Sequence, residues 1–201
     1  MYTIKTIRSA AEVETGNVAD INLFVWGCEY QPVSKAILCF EPGVGFRLRI
    51  WSEESNPRAT YTTINDAVCR DSCLEFFANF KPEIEHSGYI NCECNANGAL
   101  HCFYGEGRGD RRPVISMGAE HPNAVPFKTE TTWGYDLLIP LKLIETVYGN
   151  ADYQTGSVIR ANFYKCGDDT GAPHYGAYAK IDWPHPDFHR PEFFADMVIA
   201  E

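Results

Sequence analysis

Residues 70–98 read R-D-S-C-L-E-F-F-A-N-F-K-P-E-I-E-H-S-G-Y-I-N-C-E-C-N-A-N-G, from Arg70 to Gly98. The first half holds a short apolar run, Cys73-Leu74-Glu75-Phe76-Phe77, with one carboxylate inside it. The second half sets Tyr89, Asn91, Glu93 and Asn95 against Ile90, Cys92 and Cys94. Strict alternation is the pattern of a strand with one covered and one wet face. An aromatic, two amides and a carboxylate on one face can both stack and hydrogen-bond, which suits a sugar surface. The plainer reading is the solvated face of an ordinary sheet.

Working outward, Pro82 and Gly88 bracket the loop after Phe80, so the two halves become neighbouring strands. Asn97-Gly98 predicts a tight hairpin into 99–104. Upstream, 34–40 and 44–51 flank Glu41-Pro42-Gly43 and form another hairpin, with Phe46, Leu48 and Ile50 inside and Arg47 and Arg49 outside. Tyr2 to Ile7 begins the sheet, and the apolar run Ile21 to Trp26 is β-prone, with Trp26 in the core. Downstream, Lys128 to Ile139 reads as one long strand, Pro140 to Ile144 as the start of a short helix, and 157–165, 175–181 and 197–200 as further strands. About ten short strands with Gly- and Pro-rich turns predict an all-β fold, a two-sheet antiparallel β-sandwich of immunoglobulin-like or jelly-roll type with one or two short helices.

The 201 residues are expected to form a single domain, 1–201. A hydrophobic content of 45% argues against disorder, and a formal net charge of -10 argues against nucleic acid or an anionic membrane as partner. No apolar run approaches the roughly 20 residues of a spanning helix. The opening Met1-Tyr2-Thr3-Ile4-Lys5 lacks the basic-then-apolar layout of a signal peptide, so a cytoplasmic location is expected unless a leader has been removed.

Eight cysteines are present. Cys92 and Cys94 share one strand face, and most of the eight read as buried free thiols that pack like small apolar residues. A metal site from Cys92, Cys94, His101 and Cys102 is the sharper alternative, without a C-x-x-C knuckle to support it. The loop Gly105 to Pro113, G-E-G-R-G-D-R-R-P, reads as a solvated basic loop.

Before the last strand runs D-W-P-H-P-D-F-H-R-P-E-F-F, Asp182 to Phe194. Three prolines fix its path, and Trp183, His185 and Phe188 stand on it beside polar groups. With R-D-S-C-L-E-F-F, Y-I-N-C-E-C-N-A-N-G, R-A-N-F-Y-K-C-G and D-F-H-R-P-E-F-F-A-D-M-V-I in that order, the chain resembles the family 9 carbohydrate-binding modules over about residues 20–200. That resemblance implies a non-catalytic β-sandwich gripping the end of a sugar chain between aromatic walls, no organic cofactor and, in many members, structural calcium, here through Asp168 or Asp169.

By position in the family pattern, Glu75 and Glu93 would hydrogen-bond sugar hydroxyls, with Asn91 beside them. Tyr164 would face the ligand, and Phe188 would stand for one stacking tryptophan. The second tryptophan is missing, because Ala67, Val68 and Cys69 occupy its segment; Trp183 is the candidate replacement. Two other functions compete with saccharide binding. Glu75 and Glu93 could be the two carboxyls of a glycoside hydrolase, which need roughly 5 to 9.5 Å between them. The tail aromatics could instead bury against a protein partner.

Overall fold

Thirteen strands form in the computed structural model, which describes residues 1–201. They are β1 (Tyr2–Thr6), β2 (Val18–Asp20), β3 (Ser34–Glu41), β4 (Gly45–Glu53), β5 (Cys73–Asn79), β6 (Tyr89–Asn95) and β7 (Leu100–Gly105). There follow β8 (Arg112–Pro113), β9 (Ala124–Lys128), β10 (Thr132–Pro140), β11 (Val158–Cys166), β12 (Tyr175–Ala177) and β13 (Ala195–Ala200). One α-helix, α1 (Leu141–Tyr148), starts directly after Pro140, and Gly149 ends it with φ 81° and an N–H donated to the Glu145 carbonyl. No helix is long and apolar enough to cross a membrane.

Turn chemistry accounts for the hairpins. In Glu41-Pro42-Gly43-Val44, the Val44 N–H donates to the Glu41 carbonyl at 3.0 Å and Gly43 takes φ 77°. Proline at the second position and glycine at the third are what a type II turn requires. Between β6 and β7 the connection is Ala96-Asn97-Gly98-Ala99, two residues longer than a two-residue turn. The Gly98 N–H closes on the Asn95 carbonyl at 3.0 Å with φ 81° at Gly98.

Hydrogen bonds link the strands in one path, β8-β7-β6-β5-β11-β13-β1-β3-β4-β10-β9, with β12 on β11 and β2 on β3. The all-β class is as the sequence implies. The purely antiparallel two-sheet arrangement is corrected, because β1 lies parallel to β13 on one edge and to β3 on the other. The first strand thereby joins the two halves into a mixed sheet that curls on itself. A core of 33 buried residues fills the curl, drawn from β4 and β10 on one side and β5, β6 and β11 on the other. The Tyr135 hydroxyl crosses it to donate to the Leu74 carbonyl at 3.1 Å.

Two further expectations change. Ile21 to Trp26 contributes only an isolated bridge, Leu23 to Ala177. Trp26 is half-buried, against the outer cluster that contains Phe188 rather than the main core. The stretch from Lys128 is a hairpin, since Thr129 N–H donates to the Thr132 carbonyl at 2.8 Å and the chain reverses there. Beyond the reversal, Trp133, Tyr135, Leu137 and Ile139 are buried on one face, as the alternation implies.

The close approach of β4 to β10 gives a test of this packing. A Cβ on Gly45, whose φ is 153°, would lie 2.2 Å from the Ile139 carbonyl oxygen. Gly45→Ala is expected to cost about 2 kcal/mol or more, read as a lower urea midpoint. An unchanged midpoint would contradict the packing described here.

Candidate functional site

The polar face of β6 is where structure and alternation part most clearly. Tyr89, Asn91 and Asn95 are fully buried and Glu93 nearly so. Three segments cover this face and satisfy its polar groups, as burial demands. At one end Asn95 Nδ2 donates to Asp71 Oδ2 at 2.8 Å and to the Tyr61 carbonyl at 2.9 Å. In the middle Arg111 reaches in from the 105–113 loop, donating through Nε to Asn91 Oδ1 at 3.1 Å with its guanidinium 4.2 Å above the Tyr89 ring. Asn91 passes the order on, donating from Nδ2 to Glu93 Oε1 at 2.6 Å. From the tail, His189 Nδ1 is hydrogen-bonded to the Tyr89 hydroxyl at 2.8 Å, and Phe194 packs edge-on against Tyr89.

Beneath that cover lies a cavity of about 310 Å³, lined by Glu75, Glu93, Phe77, Arg108, Tyr175, Asp187, Phe188, His189, Cys69, Cys166, Asp168 and Pro186. Glu75 and Glu93 stand directly opposite each other on β5 and β6, a placement that puts their Cβ atoms roughly 4.5 to 5.5 Å apart. Burial, reinforced by the Glu93 carboxyl, pushes Glu75 well above its ordinary 4.5, against a hydrogen bond from the Cys166 thiol. That bond runs from Cys166 Sγ to Glu75 Oε1 at 2.9 Å. The upward shift favours the protonated carboxyl, which can donate as well as accept.

The opposite wall is held by Asp187. Its Oδ1 accepts from Arg108 at 2.7 Å and from the His189 N–H at 3.0 Å, and its Oδ2 pairs with Arg190 Nε at 2.8 Å. Burial works against its charge, but the Arg108 guanidinium holds its carboxyl below the usual range. Phe188 is pinned in turn, stacked 4.1 Å from Tyr164 at an interplanar angle of 6°.

The residues singled out from sequence thus divide. Glu75, Glu93 and Phe188 line one cavity, and Asn91 supports Glu93 from behind. Tyr164 does not face a ligand; it is fully buried under Phe188 and donates from its hydroxyl to the Phe188 carbonyl at 3.3 Å. Phe188 is itself only 8% exposed, so it offers a ring edge rather than an open platform. Trp183 and His185 border an adjoining groove with Trp26 and Tyr30, which meets the cavity at Tyr175 and Pro186. One face of Trp183 is taken by the Arg190 guanidinium, 3.4 Å from the ring.

Asp168 lines the cavity beside Tyr175, and Asp169 does not. Neither joins two other side-chain ligands, so side chains do not assemble the six- to eight-oxygen shell that calcium takes. The Cys92, Cys94, His101, Cys102 metal site is ruled out by register. His101 pairs with Glu93, whereas Cys92 pairs with Cys102, so the imidazole and those thiols point to opposite faces. The prediction of buried thiols fits better: all eight cysteines are free, and all but Cys28 and Cys69 are buried.

Sequence reasoning missed Arg108, Tyr175, Asp187, His189 and Cys166. The basic loop taken as solvated sends Arg108 to the site and Arg111 beneath it. Its clustered arginines were the available signal, but nothing local names Asp187 and Asn91 as their partners.

The family model described as carbohydrate-binding family 9 matches residues 40–199. The chain belongs to this family. Family 9 geometry recurs in solved structures. A candidate carbohydrate-binding protein from Bacteroides uniformis superposes with a TM-score of 0.81 at 22% identity, covering 98% of both chains. A family 9 module from Caldicellulosiruptor kristjanssonii, solved with cellotriose, gives 0.68 at 7% identity over 98% of this chain and 92% of its own. The same organism's module with glucose gives 0.68 at 8% identity over 98% and 95%. At these identities the likeness is one of fold. No curated protein matches the sequence.

This family 9 chain carries a titration that can be read directly. Burial, with Arg111 and Arg108 nearby, pushes His189 down to about 3 from its ordinary 6.5. The unfolded chain therefore binds a proton that the folded chain refuses, so stability is full above pH 6.5 and drains as pH falls toward 3. His189→Asn keeps a polar partner for Tyr89 and removes that proton. Between pH 6.5 and 5 the wild type is expected to lose up to about 2 kcal/mol more than the variant, measured as paired urea melts. Parallel losses would place His189 in a wetter site than described.

Proposed function

We propose that this protein binds the end of a saccharide without chemically altering it, in the cavity between the β5–β6 face and the tail. The observation that carries the reading is the facing Glu75–Glu93 pair in a cavity walled by Phe188 and Tyr175, in a chain of carbohydrate-binding family 9. The volume lies at the lower end of the roughly 300–1,000 Å³ of small-ligand sites, which suits a sugar unit or two. Protonated Glu75 donates to one hydroxyl while Glu93 accepts from its neighbour, and Arg108 supplies further donors. The Tyr175 side chain and the edge of the Phe188 ring meet the apolar side of the sugar. The solved family 9 modules with cellotriose and glucose support glucose-type probes. Affinity is expected to be modest, since bound water must be displaced from a polar cavity. The adjoining groove with Trp26 and Tyr30 gives a longer chain somewhere to run.

Isothermal calorimetry against glucose, cellobiose, cellotriose and other oligosaccharides tests this. Heat is expected with at least one sugar, at least tenfold weakened in Glu93→Gln and in Phe188→Ala. A folded wild type that gives no heat with any sugar would overturn the reading.

The same carboxyl pair favours one second reading. A Glu75 pushed toward its protonated form, facing Glu93 across adjacent strands, offers the two carboxyls that a glycosidase needs. Release of a chromophore from aryl glycosides, abolished by Glu75→Gln, would replace binding by hydrolysis as the function.

A further inference from the structure

Behind the cavity lining, on the same face of β5 as Glu75, lies Cys73, and directly opposite Cys73 on β11 lies Cys166. The two sulfur atoms and a Glu75 carboxylate oxygen all lie within 4.8 Å of one another, and all three residues are buried. We infer that Cys73, Glu75 and Cys166 form a binding site for a thiophilic divalent cation of the zinc class, with its open coordination position facing the cavity.

The geometry is close to what such an ion takes. Zinc binds thiolate sulfur at about 2.3 Å and carboxylate oxygen at about 2.0–2.2 Å, so a tetrahedral ion holds its ligand atoms about 3.3 to 3.8 Å apart. Here Cys166 Sγ lies 2.9 Å from Glu75 Oε1, and no two of the three ligand atoms are more than 4.8 Å apart. Two strands fix the backbones, since Cys73 and Cys166 are register partners and Glu75 stands two residues along from Cys73. The donor set selects the metal: two thiols and one carboxylate suit zinc-like ions, whereas calcium and magnesium want oxygen alone.

The fourth side is also built for a ligand. Glu75 and Cys166 line the cavity while Cys73 does not, so an ion held by the three would have protein behind it and space in front. Three protein ligands with one open position is the arrangement of zinc sites that take water or substrate. On the far side, Lys165 Nζ donates to the Cys166 carbonyl at 2.9 Å. Its ammonium is also paired with Glu54 Oε2 at 3.4 Å. Binding releases up to three protons, one from each thiol and one from Glu75.

A second thiol pair in the same fold marks the contrast. Cys92 and Cys102 approach to 3.7 Å between sulfur atoms, but they sit in the main core among apolar side chains, and neither lines the cavity. They are the internal control.

The site does not depend on saccharide binding, and the test uses no sugar. The full chain, reduced and stripped with chelator, is titrated with Co²⁺ and followed by absorption, then challenged with Zn²⁺. The expected result is one Co²⁺ per chain with a thiolate-to-metal charge-transfer band, displaced by Zn²⁺. Cys166→Ser abolishes the band, Glu75→Gln weakens Co²⁺ at least tenfold, and Cys92→Ser leaves it unchanged. If Cys166→Ser does not fold, thermal melts of wild type and Glu75→Gln decide: Zn²⁺ raises the wild-type midpoint and not that of the variant. A folded, reduced wild type without a charge-transfer band overturns the inference, as does a band that survives Cys166→Ser or is lost in Cys92→Ser.

Discussion

Two carboxyl groups facing each other across adjacent strands and shut away from water cannot both hold a free charge, and the structure around Glu75 and Glu93 follows from that. Burial and the facing Glu93 push Glu75 toward its protonated form, and it accepts a thiol hydrogen bond from Cys166. Glu93 is oriented by Asn91, and Asn91 by Arg111, so a guanidinium reaches the pair through an amide rather than by direct contact. The arrangement leaves a donor and an acceptor side by side at a cavity. Sugar hydroxyls present the same two roles.

Covering that face is work done by loops. The 105–113 loop and the tail come from distant parts of the chain and meet over β6, where Arg108 and Asp187 lock them together. Asp187 serves three partners at once: Arg108, Arg190 and the backbone of His189. Buried charge is tolerated there because Oδ1 is hydrogen-bonded and Oδ2 is ion-paired. The aromatic rings behind it, Tyr164 under Phe188 and Phe77 against Tyr89, give the cover a fixed seat.

The scaffold that carries the site depends on β1. A strand with both edges used, parallel on each side, makes one mixed sheet out of what local pattern alone divides into two antiparallel ones. The curl then closes over apolar side chains from both arms, and the polar face of β5, β6 and β11 is turned outward for the loops to cover.

The sequence by itself determined the elements whose signals are local. The apolar run Cys73–Phe77, alternation in Tyr89–Asn95, proline and glycine at the turns, and Pro140 before the helix each act within a few residues, so the all-β class, the hairpins at Pro42-Gly43 and Asn97-Gly98, and most of the buried thiols could be read from them. Glu75 and Glu93 could be set on neighbouring strands because pairing across a short loop is nearly local, whereas Phe188 was joined to them by the family resemblance and not by any local pattern. Only the tertiary structure decided what covers the strand face. Alternation shows that Asn91 and Asn95 leave the core side, but not whether water or protein meets them. The partners that settle it, Arg111 for Asn91 and Asp71 for Asn95, lie tens of residues away. The same holds for Tyr164, which a period of two places on the outer face and only the docked tail buries. Cys166 beside Cys73 follows the same rule, because register between strands far apart in the chain is fixed by the packing of the whole sheet.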